Sequence, residues 1–127
     1  MGTITTLLDE KKLILVTLKL GRGQEYERKF YAYPDCVEWM RNEVPKMVTG
    51  RINSPMSPLE QLRELLRQWM AGDPMAYDRR FRDLIPHEDF VSELKTHDLR
   101  IFGWIYRPRE FIAVRGGYKD DLSLIHI

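Results

Sequence analysis

The chain has 127 residues, of which 43% are hydrophobic and 31% charged, with a formal net charge of +1. That balance describes one globular domain able to bury a core; it excludes a disordered chain and any global electrostatic pull toward nucleic acid, so a basic contact must be local. Cys36 is the single cysteine, which excludes an intrachain disulfide and a multi-cysteine zinc site and suits a reducing, cytoplasmic setting.

The N-terminus has no signal-peptide architecture. Met1-Gly2-Thr3-Ile4-Thr5-Thr6 formally fits an N-myristoylation pattern, which matters only in a eukaryotic host. The longest apolar run, Leu13–Leu18, is too short to span a bilayer, and no membrane partner is expected. Lys12–Leu20 alternates, with Ile14, Val16, Leu18 and Leu20 opposing Thr17 and Lys19. After a turn at Gly21-Arg22-Gly23-Gln24, Tyr26–Tyr33 alternates again. The two runs predict an N-terminal hairpin. Pro34 suits the first turn of a helix bearing Val37, Met40 and Val44, and Pro45 stops it. Cys36 falls early in that helix as a small semi-buried thiol.

Thr49–Met56 is a loop by composition. Ser57 and Glu60 form a capping box, Pro58 lies at the first helical position, and Leu59, Leu62, Leu66, Trp69 and Met70 make one apolar stripe. Gly72 stands where a C-terminal cap belongs. Asp73-Pro74 predicts a second, short helix with Tyr77, Phe81 and Leu84 inward. His87, Glu88 and Asp89 are adjacent on a loop, with no second histidine at helical spacing, so neither a metal site nor a cofactor is expected.

Phe90–Thr96 reads as a strand. Leu99–Tyr106 and Glu110–Arg115 flank a turn at Arg107-Pro108-Arg109 and predict a hairpin. Alternation sets Leu99, Ile101 and Ile105 on one side and Arg100, Phe102, Trp104 and Tyr106 on the other. Cations beside rings can grip a nucleic-acid backbone and stack on bases. A solvated sheet rim is the alternative reading. Gly103, Gly116 and Gly117 suggest bulges or close backbone approach; Arg115-Gly116-Gly117 is not a phosphate loop, having no Lys-Ser/Thr and no helix start. His97 reads as an exposed turn residue between Thr96 and Asp98.

The expected fold is α+β: a mostly antiparallel sheet with helices packed on one face. Residues 1–121 form one domain, with 1–55 an N-terminal hairpin and helix extension. Leu122–Ile127, LSLIHI, does not continue the pattern. It resembles translated read-through of a sequencing adapter, so the natural C-terminus is expected to be missing.

The segment 56–121 resembles the RelE/HigB-like toxin superfamily, including its phage-derived members. The resemblance rests on a helical hairpin before a meander, with Arg82-Asp83-Leu84 leading into Glu93-Leu94-Lys95. The strand Leu99-Arg100-Ile101-Phe102, the return Phe111-Ile112-Ala113-Val114 and the corner Gly117-Tyr118-Lys119 follow. It implies a metal-independent mRNA-cleaving endoribonuclease acting on RNA or at the ribosome and held by a cognate antitoxin protein. Its chemistry is attack of a 2′-hydroxyl on the adjacent phosphate. Arg100, Tyr118 and Lys119 would then be catalytic, and Arg107, Arg109, Arg115 and Trp104 would bind RNA. The alternative is a non-catalytic, phage-encoded interaction protein that uses the basic-aromatic sheet face to bind a host protein or nucleic acid.

Overall fold

The computed structural model describes residues 2–49, 56–74, 81–85 and 91–118, with side chains described over 6–49, 56–74 and 92–118. Helix α1 (Gly2–Asp9) precedes strands β1 (Ile14–Val16) and β2 (Lys29–Ala32). Helix α2 (Pro34–Glu38) runs on into a π-helical turn, Trp39–Glu43, and a 3-10 turn, Val44–Lys46. Helix α3 (Pro58–Ala71) is followed by β3 (Phe81–Ile85), β4 (Val91–Lys95), β5 (Leu99–Arg107) and β6 (Glu110–Tyr118).

The strands form one sheet in the order β1-β2-β6-β5-β4-β3. The meander β4-β5-β6 is antiparallel throughout, as the short turns between its strands predict. β1 and β2 pair antiparallel, with Leu15 opposite Tyr31, so the N-terminal hairpin holds, on shorter strands than the alternating runs. β2 lies parallel to β6, with Phe30 opposite Phe111. The fold is therefore α+β with a mixed sheet, and the expectation of antiparallel pairing fails at this one junction.

Helix α3 carries both predicted ends. The Ser57 Oγ accepts from the Glu60 N–H, and the Glu60 carboxylate accepts from the Ser57 N–H, each at 3.2 Å. Such a cap is worth about 1 kcal/mol. Gly72 adopts φ 81°, and a Cβ there would lie 2.7 Å from the Glu27 Cβ. The chain before β2 closes on this end. The Glu27 and Arg28 N–H groups both donate to the Met70 carbonyl, and the Arg28 guanidinium lies 4.7 Å over the Trp69 ring. Burial lowers the Arg28 pKa, which Asp73 partly offsets.

One face of the sheet and the helices share the main core. Leu62, Leu65, Leu66, Trp69 and Met70 of α3 pack with Phe30, Leu94, Leu99, Ile101 and Phe111. Phe111 stacks on Phe30 at 5.5 Å and meets Trp69 edge-on at 5.9 Å. Cys36 is buried in the same core, and burial pushes its thiol up to about 12.

Two expectations are corrected. The helical reading of Phe81 and Leu84 fails, because Phe81–Ile85 is strand β3, paired with β4. Five residues are too few for a helical period to outvote edge pairing. Tyr77, His87–Asp89 and Leu122–Ile127 lie outside the described residues. Gly2–Asp9 forms α1, a helix absent from the sequence expectations. The helices do not all gather on one face. Leu7 and Leu8 of α1 pack with Leu13, Tyr31 and Ile112 on the opposite, outer face.

Candidate nucleic-acid interface

Register assigns the faces. Leu99 pairs with Tyr118, Arg100 with Gly117, Phe102 with Arg115, Trp104 with Ile112 and Ile105 with Phe111. Leu99, Ile101 and Phe111 belong to the main core, so Arg100, Phe102, Trp104 and Arg115 belong to the outer face. The register slips between Phe102 and Gly103, where Val114 is the extra residue of β6. A Cβ on Gly103 would lie 1.9 Å from the Ile112 carbonyl oxygen, so only glycine fits there.

Arg100 is half-buried and turned back on its own strand. Its Nη1 donates to the Thr96 carbonyl at 2.7 Å and the Leu99 carbonyl at 2.9 Å. It stands opposite Lys95, so two cations are cross-strand neighbours, an arrangement that weakens a sheet unless something anionic offsets it. Trp104 and Tyr106 are not free stacking platforms. They are half-buried beside Leu7, Leu8, Leu13, Tyr31 and Ile112, and Trp104 meets the Tyr33 ring at 6.4 Å. The Arg107 guanidinium lies 5.1 Å over the Tyr106 ring. Tyr31 donates to the Glu110 carboxylate at 3.2 Å; burial, then Glu110, raises its pKa.

Arg107, Arg109 and Arg115 are exposed. Arg109 takes φ 71° at the hairpin turn. Among the described residues none of the three forms an ion pair. Arg107 lies at the hairpin end of β5, paired in register with Glu110, and Arg115 stands farther along β6, opposite Phe102.

Tyr118 lies on the core face, opposite Leu99. Arg100 and Tyr118, both catalytic under the resemblance, therefore lie on opposite faces, because residues one step apart in register point to opposite faces. Lys119 lies outside the described residues. The Tyr118 hydroxyl donates instead to the Asp98 Oδ1 at 3.4 Å. Asp98 is fully buried, and its Oδ2 accepts from the Gln61 Nε2 at 2.7 Å. The Gln61 Oε1 accepts from the Thr96 hydroxyl at 2.8 Å and the Asp98 N–H at 3.1 Å. His97 is exposed, with its Nε2 4.0 Å from the Asp98 Oδ1. This buried network ties α3 to the β4–β5 turn. Gln61 was legible only as a polar residue beside the apolar stripe of α3.

No family model, no curated protein and no solved structure matches this chain.

Proposed function

We propose that this chain is a non-catalytic interaction protein that binds a polyanion, RNA first, through the outer face and turn of the β5–β6 hairpin. The observation that carries the reading is the set of exposed cations Arg107, Arg109 and Arg115 on that hairpin, none of which forms an ion pair among the described residues. Lys95 and Arg100 add an adjacent cationic pair. Phosphate contacts of this kind need no exposed ring, so the half-burial of Trp104 leaves them intact.

Cleavage by a RelE-type ribonuclease is the second reading. One observation favours it: two backbone carbonyls hold Arg100 in a single posture on the outer face, as a preorganised cation for a developing phosphate charge would be held. Against it, Tyr118 stands on the other face, so these two groups cannot meet one phosphate without a change of register.

Fluorescence anisotropy with a single-stranded RNA 20-mer across a salt series tests both. Affinity falls steeply with salt, and Arg107→Ala with Arg115→Ala flattens the log–log slope by about 1.4, at roughly 0.7 per phosphate contact on a single strand. The RNA stays intact. Binding that ignores both salt and the double substitution overturns the RNA reading. Products ending in a 2′,3′-cyclic phosphate, lost in Arg100→Ala, establish the ribonuclease instead.

A further inference from the structure

We propose that the groove between β1 and the helical layer takes an extended segment of a partner protein, apolar at alternate positions and acidic between them, as an added strand. The groove has a volume of about 450 Å³. Val37, Met40, Leu59, Leu62 and Leu66 form its apolar wall, and the run Ile14–Leu18 forms the opposite one.

The consecutive run is informative. Side chains alternate across a strand, so a groove on one face of β1 would meet Ile14, Val16 and Leu18 alone. Leu15 and Thr17 line it as well, so the edge of the strand, with its backbone N–H and C=O groups, faces the groove. β1 is an outermost strand, paired among the described residues with β2 alone. An unpaired edge beside side-chain pockets is the arrangement that accepts an added strand. The Leu18 carbonyl already accepts from the Tyr26 hydroxyl, so the added segment runs along Ile14–Thr17.

Charge specifies the occupant. Arg41 and Arg63 also line the groove, and both are exposed. Neither has a hydrogen bond or ion pair among the described residues. Arg67, one turn along α3, is held instead by Glu64 at 2.7 Å and Asp73 at 3.5 Å. Two uncommitted guanidiniums beside an apolar wall complement carboxylates. A fatty acid would match the wall and the charge but leave the strand edge unused, and that edge decides for a peptide. The site lies apart from Arg107 and Arg115, so it stands or falls independently of RNA binding.

The test screens the full chain against a random decapeptide display library, then measures enriched synthetic peptides by fluorescence anisotropy. Enriched sequences alternate apolar with acidic residues. Arg41→Glu with Arg63→Glu weakens them by about tenfold or more, while circular dichroism confirms an intact fold. N-methylating one alternate set of peptide amides abolishes binding, and methylating the other set leaves it unchanged. An unenriched library overturns the proposal, as do peptides indifferent to the arginine reversal or to both methylation sets. Saturable binding of dodecanoate that the arginine reversal abolishes, with no peptide recovered, overturns it in favour of a lipid.

Discussion

The two faces of the sheet are closed by helices of different quality. The core face lies under α3, fourteen residues long and capped at both ends, with five buried apolar side chains in the main core. The outer face is met by α1, eight residues long, whose described contacts are the half-buried Leu7 and Leu8. Adjacent residues of β6 serve both, since Phe111 faces the core and Ile112 the outer cluster. The difference is one of burial: the core face holds most of the buried apolar side chains, while the outer face leaves Arg107 and Arg115 exposed.

Phe111→Ala is the severest test of that division. It removes a fully buried ring from between Phe30 and Trp69 and should cost about 3–5 kcal/mol by urea denaturation. Gly103→Ala comes next. Its methyl would collide with the Ile112 backbone, for a loss of about 3 kcal/mol and exchange of the amides around the bulge. Leu8→Ala, on the outer side, should cost only about 1–2 kcal/mol, in line with partial burial. A loss matching that of Phe111→Ala would break the comparison and make α1 part of the stabilising core.

The smallest effect near neutral pH belongs to Cys36. Its thiol is raised from an ordinary 9.0 to about 12. The folded chain therefore keeps a proton that the unfolded chain releases. This contribution is fully present below pH 9 and is lost as pH rises toward 12. Cys36→Ala should flatten the alkaline fall in stability. At pH 8, DTNB should modify native Cys36 far more slowly than the urea-unfolded chain; equal rates would show the core face opening freely.

Local signals were legible where chemistry and period agreed. Ser57, Glu60, Pro58 and Gly72 announced α3, and the alternation of Leu99–Tyr106 announced β5 and its two faces. α1 was illegible because Thr3, Ile4, Thr5 and Thr6 are poor helix formers, and its contacts with Tyr31 and Ile112 come from distant strands. The parallel junction of β2 with β6 leaves no local trace either, since both strands alternate equally well in either orientation. For the candidate site, exposure of Arg107 and Arg109 could be read from the turn. The separation of Arg100 from Tyr118 could not, because it depends on the cross-strand register between β5 and β6. Arg41 and Arg63 lie on different helical segments, and only the packed structure brings both to one groove.

The parallel junction also sets the order of events during synthesis. Phe30 and Ala32 emerge from the ribosome early, but their partners Phe111 and Ala113 follow only after α3 and the meander have been made. Until then the β1–β2 hairpin has no neighbour on its inner side. Pairings so distant in sequence close slowly, and an unpaired strand edge is exposed to misassociation while it waits. A pulse-labelled nascent chain stalled before residue 110 should therefore leave β2 accessible to proteases and chaperones, and release of β6 should bury it in one step.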